Sequence, residues 1–295
     1  MLSLHTNAAA LSAQNSISRT QSGLSTSMTR LSTGLRINSA MDDAAGLQIA
    51  TRLKTQTSGM TVAMRNTQNS ISLLQTAEGA LDEVTSILNR MKDLATQAAD
   101  GSSTADDKTA MQSEFNSLTS ELSNIMTNTK FGGTALLTKT TGKLAVAAGV
   151  DFQIGADSSE KLNAKFDTSL TAVDTALEAV SADYDGATGV AATGTTTELT
   201  AAGSANTKIN VIATAIDKVS AVRSELGAVS NRLDHVYNNL ANISTNTKNA
   251  TGRIMDTDFA SESAKMTSSQ MLLQAGTAML KQSNSQSSLV LSLLQ

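Results

Sequence analysis

Two long stretches of this chain carry apolar residues in alternating steps of three and four. One runs Met60, Met64, Ile71, Leu74, Leu81, Val84, Leu88, Met91, Leu94; the other runs Ile209, Ile212, Ile216, Val219, Val222, Leu226, Val229, Leu233, Val236, Leu240, Ile243. This spacing keeps a narrow stripe on one side of a helix, the seam of a coiled coil rather than the broad face of a globular helix. Two seams far apart in sequence predict a chain that goes out, turns and comes back. The expected fold is mainly α: a long antiparallel coiled-coil rod from N- and C-terminal helices, with a small β-hairpin region and a short exposed insert.

The chain ends are thinner in apolar residues. Residues 1 to 41 hold Arg19, Arg30 and Arg36 but no acid, and Leu4, Leu11, Ile17, Leu24, Met28, Leu31 and Leu35 make a helical stripe with gaps. So few large side chains return less than the entropy lost in ordering the stretch. An isolated helix is also marginal in water. The segment is therefore expected to need a partner, with Leu4, Leu11, Leu24, Leu31 and Leu35 as its contact residues. At the other end Leu289, Val290, Leu291, Leu293 and Leu294 find no partner within their own segment and are expected to pack on neighbouring molecules.

Between the ends, local signals punctuate the helices. Ser39 to Asp42 reads as a capping box opening a helix that runs to about Ala99 and stops at Asp100–Gly101. Thr104 and Asp107 make a second box, opening a shorter helix that ends near Thr129. Gly132–Gly133 breaks the pattern, and Leu144 to Ile154, split at Gly149, suggests short strands in a hairpin. Leu170, Val173, Leu177 and Val180 allow one short helix. The Gly-, Ala- and Thr-rich run that follows has no sustained period, as in an exposed loop. The long pattern resumes near Ala205 and fades around Asn249.

Composition narrows the function classes. The 295 residues include only 2% aromatics, no Trp, no Pro and no Cys. A compact enzyme of this length normally uses more aromatic residues in its core and pockets. The absence of Pro leaves helices unbroken, and the absence of Cys excludes disulfides and thiolate metal sites. A net charge of −4 without basic clusters argues against nucleic acid. No apolar run is long enough to span a bilayer. The first residues lack a basic region followed by an apolar one, so a cleavable signal peptide is not expected.

Candidate chemistry is sparse, and neither a catalytic site nor a cofactor is expected. His5 lies in the polar end and His235 follows Leu233 on a helix flank, places for surface or packing roles rather than proton transfer. Asp183 and Asp185 before Gly186 begin like a calcium loop, but Ala192 stands where the loop needs Glu, which leaves a turn. Gly142–Lys143 lacks the flanking residues of a phosphate loop. Asn242 and Asn249 open glycosylation sequons inside helical patterning. Asp42–Asp43 suits the dipole of a first helical turn better than a metal or an acid–base dyad. Met60, Met64 and Met91 fall on the seam as core fillers.

Several long strings carry a resemblance. LSTGLRINSAMDDAAGLQIATRL at 31–53 and TAEGALDEVTSILNRMKDLATQAA at 76–99 resemble the N-terminal signatures of bacterial flagellin. AVRSELGAVSNRL, RIMDTDFASES, QAGTAMLKQSN and the terminal LSLL resemble the C-terminal ones, in order. The resemblance covers roughly residues 1 to 135 and 205 to 295. It implies an inner coiled-coil assembly domain at 1–42 with 255–295, disordered in the monomer, and a helical rod domain with a β-hairpin at 43–165 with 205–254. Residues 166–204 would then be an exposed variable insert.

The implied function is structural: a subunit that self-polymerises into the extracellular flagellar filament for motility, exported unfolded by the flagellar type III apparatus. The implied partners are further copies of itself, an export chaperone, the filament cap and hook-junction proteins, with no nucleic acid and no membrane insertion. A host innate immune receptor is a further partner, through Arg90, Leu94 and Glu114. The crowded Thr188, Thr193, Thr195, Thr196, Thr197 and Thr200 are candidates for O-linked sugar. A hook–filament junction protein and a secreted monomeric binding protein are the alternative functions.

Overall fold

The structure, a computed structural model, describes residues 7–187 and 197–293, with side chains of the last helix described as far as Gln286. Its helices are α1 (Ala8–Thr33), α2 (Ala44–Ala99), α3 (Ala105–Asn128), α4 (Asp167–Val180), α5 (Ser204–Met255) and α6 (Phe259–Leu293). Two antiparallel hairpins lie between α3 and α4 in sequence: β1 (Lys130–Phe131) with β2 (Thr134–Ala135), and β3 (Val150–Gln153) with β4 (Lys161–Ala164). The chain forms two compact units, one of residues 1–57 and 245–295, the other of residues 58–244. The divisions fall inside α2 and α5.

In the second unit both predicted seams are buried. Leu74, Leu81, Val84, Leu88 and Met91 of α2, with Ile212, Val219, Val222, Leu226 and Leu233 of α5, belong to one core. Alternating steps of three and four let each row interlock with a facing helix. Phe115, Leu122 and Met126 of α3, Leu170 and Leu177 of α4, and Phe152 and Leu162 of the second hairpin fill the same core. Arg223 of α5 pairs with Glu78 and Asp82 of α2, at 3.6 and 2.9 Å.

The capping box at Thr104 forms as the sequence predicts, the Thr104 hydroxyl accepting from the Asp107 N–H and the Asp107 carboxylate from the Thr104 N–H. The box at Ser39 does not. Asp42 instead accepts from the N–H groups of Asn38 and Ser39 and from the Ser39 hydroxyl, which closes a turn. The helix starts at Ala44, and Asp43 takes the capping role, its carboxylate accepting from the Gly46 N–H at 2.8 Å.

The hairpin expected at Leu144 to Ile154 is displaced. Gly149, at φ 78°, turns the chain into β3 and does not separate two strands. Leu144 donates its N–H to Leu136, while the β3–β4 loop is closed by Asp157 and Glu160, whose carboxylate accepts from the Asp157 N–H. Gly132 and Gly133, both at positive φ, make the tight turn of the first hairpin, a conformation that favours glycine.

Much of the stretch expected to be an exposed insert, 166–204, is core. Helix α4 buries Leu170, Val173, Leu177 and Val180, and Phe166, Tyr184 and Leu199 are buried on either side of it. Polar anchors hold the ends down. The Glu198 carboxylate accepts from the Gln112 amide at 2.8 Å, the Ser181 hydroxyl at 3.1 Å and the Ala182 N–H at 3.2 Å. The Tyr184 hydroxyl donates to Asp174 at 2.8 Å. Lys208 donates to the Ala179 carbonyl, closing the exposed end of α4. Each satisfies a polar group that burial alone would penalise.

Candidate functional site

The first unit is built on the pair α1–α6, and its residues are where the sequence placed the assembly contacts. Asn7 caps α1 by accepting from the Ala10 N–H at 3.0 Å. Gly34, at φ 73°, ends the helix with its N–H on the Arg30 carbonyl. Only a residue tolerant of the left-handed region suits that cap. Helix α6 starts after Asp258, which accepts from the Ala260 N–H.

The two helices run antiparallel. Asn7 meets Ser283 at 3.2 Å, a Cβ on Gly276 would stand 2.9 Å from Ile17, and Ser27 meets Glu262 at 2.6 Å. Beyond Gly34 the strand-like crossing continues, with Thr257 N–H on the Gly34 carbonyl and Arg36 N–H on the Met255 carbonyl. The side chains turned away from solvent on α1 are Ala10, Ala13, Ile17, Thr20, Leu24, Ser27 and Leu31, and on α6 Glu262, Met266, Ser269, Leu273, Gly276, Leu280 and Ser283. Both rows step by three and four, so a coiled-coil seam is present, composed mostly of small residues.

The seam differs from the stripe the sequence suggested. Leu24 and Leu31 lie on it, and Leu35 is half-buried at the crossing. Leu11 and Met28 point outward, 60% and 55% exposed, because the interlocking row is set by Ala, Thr and Ser positions that hydrophobicity does not mark. On α6, Met271, Leu272 and Met279 are likewise 59–69% exposed. Leu4 and Leu294 lie outside the described residues, as do the side chains of Leu289, Val290, Leu291 and Leu293. The sequence gave residues 1–42 no partner within the chain; here α6 supplies one.

A polar cluster in this unit escaped the sequence reading. Glu262, 5% exposed, accepts from Ser27 and lies 4.0 Å from the Arg30 guanidinium and 3.6 Å from Lys265. Arg30 also approaches Asp42 at 3.7 Å. The Ser27 hydroxyl, then Lys265 and Arg30, hold the Glu262 carboxyl below its usual range. The signal was present: Ser27 stands between Leu24 and Leu31 on the three–four rhythm, a polar residue at a seam position.

In the second unit Arg90 and Glu114 come together. The Arg90 guanidinium donates to the Glu114 carboxylate at 2.7 and 2.8 Å, both side chains about half exposed. Leu94 is close by in sequence, but it is 2% exposed and belongs to the core, so the expected apolar knob beside Arg90 is absent. A groove of about 580 Å³ with Asp100, Asp107 and Glu114 on its walls opens at this place. Of the threonine cluster, Thr197 and Thr200 are exposed; Thr188, Thr193, Thr195 and Thr196 lie outside the described residues, as does His5. No described helix is long and apolar enough to cross a membrane.

Two family models match the chain: the bacterial flagellin N-terminal helical region over residues 4–142 and the bacterial flagellin C-terminal helical region over residues 209–294. The chain belongs to the bacterial flagellin family. Among its relatives, polar flagellin F of Vibrio parahaemolyticus is 50% identical over 159 residues, 54% of this chain and 41% of that protein. Flagellin A of Vibrio cholerae is 47% identical over 161 residues, 55% of this chain and 41% of that protein. The alignments thus span about two fifths of these relatives' own length. A solved structure from Vibrio parahaemolyticus, of a protein assigned as flagellar hook-associated, shares the fold. It has 16% identity and a TM-score of 0.54, and covers 73% of this chain and all of that one. Both matched regions lie in helices, and the unmatched interval between them contains β3, β4 and α4.

Proposed function

We propose that the chain is a structural subunit that polymerises into the helical flagellar filament and acts outside the cell in motility. The observation that carries this reading is the outward apolar set of α1 and α6. Their seam is already filled, yet Leu11, Met28, Met271, Leu272 and Met279 stand in solvent. Exposed apolar side chains gathered on one element mark a surface that other molecules cover. Repeated contacts of this kind, which do not close into a ring, give an open helical assembly. Family membership supports the same conclusion and a non-catalytic role.

The finer partners follow from the family resemblance. They are export through the flagellar type III apparatus, a chaperone on the C-terminal segment, and the cap and hook-junction proteins at the filament's two ends. A host receptor contact would centre on Arg90 and Glu114 alone. O-linked sugar would sit on the threonines around 188–200.

Electron microscopy of purified full-length chain tests the main reading. Long tubes are expected, and removal of residues 289–295 should abolish them while the second unit stays folded. A chain that remains monomeric under all polymerising conditions would favour the secreted binding protein. Assembly only upon a preformed hook would favour the junction protein.

A further inference from the structure

We infer that the buried Ser27–Glu262 layer sets the rotational facing of α1 against α6, and so decides which apolar side chains remain outward. Four observations meet here. Ser27 and Glu262 occupy facing seam positions and are 6% and 5% exposed, the most buried side chains of the described seam. Their hydrogen bond is 2.6 Å. The Arg30 guanidinium reaches both Glu262 and Asp42, so the layer is also tied to the turn that precedes α2. Arg30 Nε is buried and makes no hydrogen bond to any described residue, which marks a position dictated by the two carboxylates rather than by its own satisfaction.

The layer opposes a specific alternative. The neighbour of Ser27 is Met28, 55% exposed, and the neighbours of the seam residue Leu273 include Leu272, 59% exposed. Rolling either helix by one position would replace small or polar seam residues with these larger apolar ones. Hydrophobic burial alone favours that roll. The backbone bonds at Gly34–Thr257 and Arg36–Met255 pin only the crossing point and leave rotation open. In the rolled arrangement Glu262 would lose Ser27 and Arg30, a costly outcome for a buried carboxylate. A single polar seam layer is known to select one packing at some expense of stability. The consequence for assembly rests on the filament reading above; the facing of the helices does not.

The chain has no cysteine, so engineered thiols report without background. The full-length monomer carrying Ile17→Cys and Gly276→Cys reads the native seam by disulfide yield. Single Met28→Cys and Leu272→Cys variants read the outward face by maleimide labelling. With Glu262 in place, the 17–276 link should close nearly completely and both single thiols should label as exposed groups. In Glu262→Leu the link should fall at least threefold and labelling at position 28 or 272 should slow at least tenfold, with helix content kept or raised. Glu262→Gln, which retains a partner for Ser27, should behave as the native chain.

A Glu262→Leu protein with an unchanged 17–276 link and unchanged labelling overturns the inference. So does one whose α1–α6 pair simply melts, because Glu262 would then be a stability element. Native chain that fails to form tubes, with the thiol results as expected, would sink the filament reading and leave this one standing.

Discussion

The two units use the same three–four rhythm for opposite ends. In the second, the seam positions of α2 and α5 are Leu, Val, Ile and Met, nearly all fully buried, and Phe115 and Phe166 close the space between elements. In the first, the α1–α6 seam is Ala, Thr, Ser and Gly with a few Leu and Ile, while larger apolar side chains face out. Burial of large side chains stabilises a unit on its own; a seam of small residues orders two helices with little to spare. The difference separates a part that holds its shape from a part kept available for contact.

The largest test of that contrast is a matched pair of truncations. Phe115→Ala, at a fully buried position, should cost about 3–5 kcal/mol. Ile17→Ala, half-buried, should cost roughly 1 kcal/mol. Segment-resolved hydrogen exchange on the monomer would read both, with the native α1 and α6 exchanging far faster than α2 and α5 from 74 to 94 and 212 to 233. Equal protection of the two helix pairs would break the comparison.

Large apolar residues made the second unit legible. The long seams, the Thr104–Asp107 box and α4 were all readable because each rests on local spacing or a local cap. What was not readable depends on contacts distant in sequence. Glu198 and Gln112 are 86 positions apart, and their pairing turns an aperiodic Ala- and Thr-rich stretch into core. Ser39–Asp42 has the letters of a capping box, but its carboxylate serves a turn and leaves Asp43 to start the helix. The α1 seam was misplaced for a simpler reason: leucines were followed where alanines and serines carry the rhythm. The same preference hid Ser27 and Glu262.

Acidity should push the two units in opposite directions. Burial raises the Asp174 carboxyl to about 6, against the opposing hydrogen bond from Tyr184. The folded state therefore holds a proton that the unfolded state has released, and stability from this group is complete below about pH 4 and lost as pH rises through about 6. The difference amounts to about 3 kcal/mol. In the first unit Glu262 and Asp42 lie below their ordinary values, held by the Ser27 hydroxyl and by the Asn38 N–H respectively. Their contribution is present near neutrality and lost as pH falls through those lowered values. Asp174→Asn should remove the alkaline loss from the second unit, raising its melting temperature at pH 8 and leaving it nearly unchanged at pH 4. A variant no more stable than native at pH 8 would show that the buried carboxyl costs nothing.

The smallest effect expected is at Arg90 and Glu114, and it decides what that surface is for. The pair has good geometry, with two N–H groups on one carboxylate oxygen, but both side chains are about half exposed. Exposed ion pairs contribute about 0–1 kcal/mol, screened further by salt. A double-mutant cycle on Arg90→Ala and Glu114→Ala should therefore give a coupling below about 1 kcal/mol in monomer stability, shrinking at high salt. Leu94→Ala is a different matter: at 2% exposure it should cost about 2–5 kcal/mol as a core truncation. Any loss of host-receptor activation by the Leu94 variant would then reflect a loosened unit, whereas a tenfold loss with Arg90→Ala at unchanged stability would assign the contact to the charge. If Arg90→Ala destabilises the unit as much as Leu94→Ala does, the ion pair belongs to the framework, and the surface has no free group to offer a partner.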